Sequence, residues 1–113
     1  MAKHVFVVFS NPVEGREDDY NAWFTDVHLQ DALKIPGIIA AQRFKLSDVQ
    51  RNPPPYPWGY LALYDVETDD LNQTVTALKE RVGTSAMVIS DALAGGIGWF
   101  FQPITPKVEA GGS

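Results

Sequence analysis

His28 is followed three residues later by a carboxylate, Asp31, and the chain has one other histidine, His4. On a helix, that spacing puts both side chains on adjacent parts of one surface. A carboxylate there can accept from one imidazole nitrogen, which fixes the tautomer and raises basicity. The other nitrogen is then free to act as general base or acid on a bound molecule. The same histidine can instead cap a helix or bond a backbone carbonyl, and Asp31 can instead anchor the connection to the next strand. Tyr20, Tyr60 and Tyr64 carry phenols able to donate to an oxygen that gains charge as an enolate or phenolate forms. Each of them can equally be an interior aromatic with a satisfied hydroxyl. Asn11 can bond a substrate carbonyl, or with Pro12 it can simply make a turn.

Other chemistries find little support. Without cysteine there is no disulfide, no thiolate nucleophile and no Cys-ligated zinc or iron–sulfur site. The two histidines and scattered carboxylates give no metal-ligand spacing, so no metal is expected. One histidine suffices as a proximal haem ligand, but nothing else in the sequence signals haem, and no cofactor is expected. Gly95, Gly96 and Gly98 precede neither a helix nor a Lys-Ser/Thr pair, so they are not a phosphate loop. Pro53-Pro54-Pro55-Tyr56 matches a WW-domain ligand pattern, yet reads better as a proline-rich loop that can flank a cavity as a lid. A net charge of −5 without a Lys/Arg cluster argues against nucleic acid. No run approaches the length of a membrane helix. The apolar N-terminal stretch is too short for a secretory signal. A cytoplasmic location fits.

The elements that must position these groups follow from periodicity. Residues 3–10 form a strand candidate, apolar on both faces. Helical periodicity starts at Glu17 and runs to about Ile35, with Glu17, Asp18 and Asp19 suited to the positive end of the helix dipole. Tyr20, Phe24, Val27 and Asp31 fall on one stripe, with Trp23 and His28 at its margins. Leu29 and Leu33 lie on other sides, so the periodicity slips near His28 and predicts a break into two short helices. Pro36-Gly37 stops the helix. Residues 38–46 make a second strand. Residues 48–57, with four prolines, make a loop. Residues 58–66 make a third strand, with Tyr60, Ala62 and Tyr64 on one side and Leu61, Leu63 and Asp65 on the other. A second helix over 69–82 is capped by Thr68 or Asp69 and ended by Gly83. A short extra helix over 85–93 and a turn through Gly95 and Gly96 lead to a fourth strand at 98–102.

The order βαββαβ is an α+β, ferredoxin-like arrangement with a four-stranded antiparallel sheet. Residues 1–104 form one domain and 105–113 a flexible tail. Two helices cover only one sheet face, while the strands are apolar on both. The simplest partner for the bare face is a second copy, packed sheet to sheet.

Asn11-Pro12, Gly15, Glu17, Tyr20-Asn21, Trp23-Phe24, His28, Asp31, Leu33 and Pro36-Gly37 resemble the dimeric α/β-barrel superfamily, most closely its EthD-like branch. That superfamily includes polyketide cyclases, muconolactone isomerase-like proteins, cofactor-free monooxygenases, haem peroxidases and proteins of unproven function. The resemblance implies a homodimer and a histidine at position 28 near a cleft. Taken together, the expectation is a pocket between sheet and helices, lined by Trp23, Phe24, Tyr60, Tyr64, Trp99 and Phe101, with His28, Asp31 and Tyr20 as the reacting groups and Asn11 nearby. The chemistry would be cofactor-free proton transfer (cyclase, isomerase, dehydratase or lyase) on a small apolar carbonyl or phenolic compound. The alternatives are cofactor-independent oxygenation and ligand binding without turnover.

Overall fold

The computed structural model describes residues 2–111. Met1, counted in the expected domain, and Gly112 and Ser113, counted in the expected tail, lie outside the described residues. In chain order come β1 (Ala2–Pro12), α1 (Glu17–Trp23), a π-helical turn (Phe24–His28), α2 (Leu29–Ala32), β2 (Ile38–Lys45), β3 (Tyr60–Thr68), α3 (Leu71–Arg81) and β4 (Leu93–Phe101). All neighbouring strands are antiparallel, in the order β2-β3-β1-β4. This is the ferredoxin-like α+β arrangement expected from the sequence.

Strand alternation sorts the side chains cleanly. Along β3, Tyr60, Ala62, Tyr64, Val66 and Thr68 are buried beneath the helices. Phe6, Val8 and Ser10 of β1 lie across from Tyr64, Ala62 and Tyr60, and so share that face. The opposite face carries Val5, Val7 and Phe9, paired with Phe101, Trp99 and Ile97 of β4. Trp99 is 50% exposed and Phe101 55% exposed, because no element packs over them.

Two details position the site. At the end of the first crossover, Gly37 has φ +97°, and a Cβ there would lie 2.4 Å from Thr74 Oγ1. Only glycine fits, on both conformational and steric grounds. Thr74 is buried in α3 and donates to Pro36 O at 2.8 Å, which ties the second helix to this turn. In β2, the register shifts between Ile38 and Ala40, so Ile39 is an extra, bulged residue. Ile38 faces the helices, and beyond the bulge so do Ala41 and Arg43, opposite Tyr64 and Ala62.

Several sequence expectations need correction. Residues 85–93 are not a helix. Gly83 turns the chain at φ +82°, Thr84 Oγ1 accepts from Ala86 N, Ser90 Oγ accepts from Ala92 N, and Val82 bridges to Met87. These short side chains give the backbone local partners that compete with helical bonds. β4 begins five residues earlier than the sequence suggests, and Gly95 and Gly96 belong to it, opposite Asn11 and Ser10. The cap of α3 is Asp70, which accepts from Asn72 N at 3.0 Å; Thr68 instead bonds Asp70.

Candidate active site

The π turn places His28. Leu29 N–H donates to Phe24 O, five residues back, so this turn holds one residue more than an α-turn. The inward stripe therefore continues by steps of four: Tyr20, Phe24, His28, Ala32. A regular helix would have kept Val27 inward. Here Val27 is 43% exposed and His28 points to the interior. The predicted break in the helix is thus a widened turn, and its effect is to aim an imidazole rather than to end the helix.

His28 is held by aromatic rings. Its ring centre lies 4.6 Å from that of Trp23 and 4.8 Å from that of Phe24, the latter edge to face. Trp23 is fixed in turn by its Nε1–H, which donates to Val88 O at 3.0 Å. His28 Nδ1 is shut off from solvent and has no hydrogen-bond partner. Nε2 is then the nitrogen through which the imidazole can meet a ligand. Burial pushes the imidazole below its ordinary pKa; the charge of Asp31 acts upward and that of Arg43 downward. Near neutral pH the ring is the free base.

Asp31 does not take the orienting place expected of it. It makes no hydrogen bond to His28 and acts on it through charge alone. The carboxylate is near enough to act on the ring by its charge, while the ring itself packs against Trp23 and Phe24.

His28 borders a cavity of about 360 Å³ between sheet and helices. Phe6, Val8 and Tyr64 form its sheet side, Leu78 and Val82 come from α3 and the residue after it, and Met87 and Ile89 from the irregular loop before β4. Its size is at the small end of ligand pockets, and its lining is apolar apart from His28 and Tyr64. The Tyr64 hydroxyl makes no hydrogen bond within the described protein. Burial raises its pKa, with Arg43 opposing and Tyr20 adding to the rise, so the phenol stays protonated and can donate.

Other expected site residues lie elsewhere. Tyr20 is fully buried, its hydroxyl 2.5 Å from Ser10 Oγ. The Tyr60 hydroxyl bonds Glu17. Asn11 clamps the proline-rich loop, donating to Pro57 O and accepting from Gly59 N, both at 2.8 Å. Residues 53–56 of that loop do not line the His28 cavity, which is bordered instead by Met87 and Ile89 of the 83–92 segment. Trp99 and Phe101 sit on the bare sheet face: β4 pairs Val7 with Trp99, and Val7 points away from the helices. The sequence gives their alternation but not which parity faces inward.

Arg43 was missed. It packs its guanidinium over the rings of Phe24, Tyr20 and Tyr60, at 4.6, 5.2 and 5.4 Å. A charged residue in the run IIAAQRFKL reads as solvent-facing, and the bulge that turns it inward leaves no sequence mark. Among the described residues, no group of three His, Asp or Glu side chains is arranged to hold a metal, and no helix is long and apolar enough to cross a membrane.

No known family profile and no curated protein matches the chain. Solved structures do. An EthD family protein from Bacillus halodurans C-125 superposes with a TM-score of 0.57 at 11% identity, covering 92% of this chain and 100% of that one. A proposed monooxygenase from Shewanella loihica PV-4 superposes with a TM-score of 0.58 at 13% identity, covering 94% and 99%. The chain therefore shares the ferredoxin-like fold of these two proteins.

Proposed function

We propose that the protein is a cofactor-free acid–base enzyme acting on a small, uncharged carbonyl or phenolic compound. The supporting observation is the pairing of one neutral imidazole and one protonated phenol as the polar groups of an otherwise apolar cavity. His28 Nε2 takes a proton alpha to the carbonyl, or from a phenol. Tyr64 donates to the oxygen that becomes negative. Asp31 favours the imidazolium that forms, and the apolar lining keeps water from competing. Cyclisation, isomerisation, dehydration and lyase steps all begin this way. A charged substrate is disfavoured, because the cavity offers no counter-ion.

A second reading is cofactor-independent oxygenation, in which the same deprotonation yields a carbanion that reacts with O₂. Its support is the apolar cavity together with the naming of the Shewanella protein as a proposed monooxygenase. In either case the bare sheet face is proposed to pack against a second copy.

The test is a panel of small aromatic and aliphatic ketones and phenols, followed by mass spectrometry and oxygen uptake. His28→Ala should lose about 10²- to 10⁴-fold in turnover while still binding ligand. The sign of the pH dependence follows from burial: protonation of His28 inactivates it, and its pKa lies below the ordinary value. Activity should persist at pH 6.5 and fall only as pH drops further. Wild-type turnover by His28→Ala would end the acid–base reading. Oxygen uptake matched to product would select the oxygenase reading.

A further inference from the structure

Arg43 is a cation without an acidic partner in a protein of net charge −5. Among the described residues, no Asp or Glu oxygen forms an ion pair with it. Its hydrogen bonds go to neutral oxygens: Nη1 donates to Thr25 Oγ1 at 2.9 Å and Nη2 to Asn21 Oδ1 at 3.0 Å. Asn21 lies in α1 and Thr25 in the π turn, one on each side of Phe24 in sequence. The face of Phe24 meets the guanidinium at 4.6 Å, and its ring is 4.8 Å from His28. A single residue of β2 thus holds the widened turn at Phe24 and Thr25, and α1 just before it at Asn21.

We infer that Arg43 is a positioning residue for His28: its planar fork fastens the π turn to the sheet, and its charge, beyond ion-pair distance of the Glu17 and Asp18 carboxylates that border the same surface pocket, lies behind the imidazole. This rests on the reading of His28 as the acid–base group of the cavity. Lysine cannot supply both parts, since it has the charge but neither the fork nor the stacking plane. A π turn is rare and occurs mostly as a single widened turn inside an α-helix, so contacts from outside the helix are suited to hold it. The charge acts against protonation of His28, in the same direction as burial and against Asp31. The other groups that face His28 are Tyr64 from β3 and apolar side chains from α3 and the 83–92 segment. The opposing influences are therefore Asp31 on the histidine's own helical segment and Arg43 from β2, on the same sheet face.

The test follows His28 by NMR titration, and the Leu29 amide (donor of the π bond) by hydrogen exchange, in intact wild type, Arg43→Met and Arg43→Lys. Arg43→Met should raise the His28 titration midpoint and speed Leu29 exchange about tenfold. Arg43→Lys should keep the midpoint low while exchange still speeds up. An unchanged midpoint in Arg43→Met, or an equal rise in Arg43→Lys, overturns the role assigned to the charge. If Arg43→Met does not fold, Asn21→Ala with Thr25→Val removes the bonds and keeps the charge. Faster Leu29 exchange there supports the clamp, and wild-type exchange overturns it. None of these readouts needs turnover. A catalytically silent His28 would show in the His28→Ala assay alone, so the two ideas fail separately.

Discussion

The two faces of the sheet are built from the same strands, one residue out of step, and they differ in kind. The covered face combines aromatic packing with an imidazole and a phenol that lack protein hydrogen bonds, around a cavity of about 360 Å³. The bare face between β1 and β4 is a run of aliphatic and aromatic side chains with Trp99 at its centre. His28 Nδ1, buried without a partner, costs about 1–3 kcal/mol. The other ring nitrogen and the Tyr64 hydroxyl are the polar positions that a ligand in the cavity could complete, and such positions would be a liability in a surface that only has to pack. That difference is the ground for proposing chemistry on one face and assembly on the other, and strand alternation keeps the two apart.

The comparison breaks if a change on one face reads out on the other. The largest effect is expected from Tyr64→Phe, which keeps the ring and removes the donor. Turnover should fall about 10²- to 10³-fold with the oligomeric state unchanged, as checked by steady-state kinetics and light scattering. Wild-type rates would remove Tyr64 from the mechanism. Next comes Trp99→Asp, which puts a charge in the middle of the bare face. Self-association should weaken about a hundredfold, measured by sedimentation, while the ligand affinity of the cavity is kept. A protein that is monomeric before the change would contradict the assembly proposal directly. The smallest effect is expected from Gly98→Ala. A Cβ there would lie 2.8 Å and 2.9 Å from the Phe6 ring and 3.2 Å from Val8 Cγ2. Phe6 is stacked on Phe100 at 4.2 Å, so its ring must shift where it borders the cavity. About tenfold weaker binding of the largest ligands, with the smallest ones unaffected, would sharpen the picture of Gly98 as the cavity floor.

Much of the fold was readable in the residues. The alternation of Tyr60, Ala62 and Tyr64 against Leu61, Leu63 and Asp65 fixed the faces of β3, and Pro36-Gly37 marked the end of the first crossover. The site was readable in part. His28 stood out as a lone imidazole among aromatics, and Tyr64 was among three tyrosines that composition could not separate. The structure separates them by what their hydroxyls touch: Ser10 for Tyr20, Glu17 for Tyr60, nothing for Tyr64. What the sequence did not show was local register. The π turn, the bulge at Ile39 and the parity of β4 each depend on one residue counted or not counted. Residue propensities carry almost no signal for such single insertions, since the same side chains suit both registers.

The bulge at Ile39 has a consequence for how such a chain can diverge. With Ile38 held opposite Val66, loss of the Ile39 codon would leave Ala40 opposite Asp65 and Arg43 opposite Ala62, so the bulge would vanish and every later face of β2 would be kept. A one-residue change between Ala41 and Arg43, with no second bulge to absorb it, would instead turn Arg43 out to the bare face. The start of β2 is therefore a place where the chain can change length by one residue without losing the clamp on the π turn.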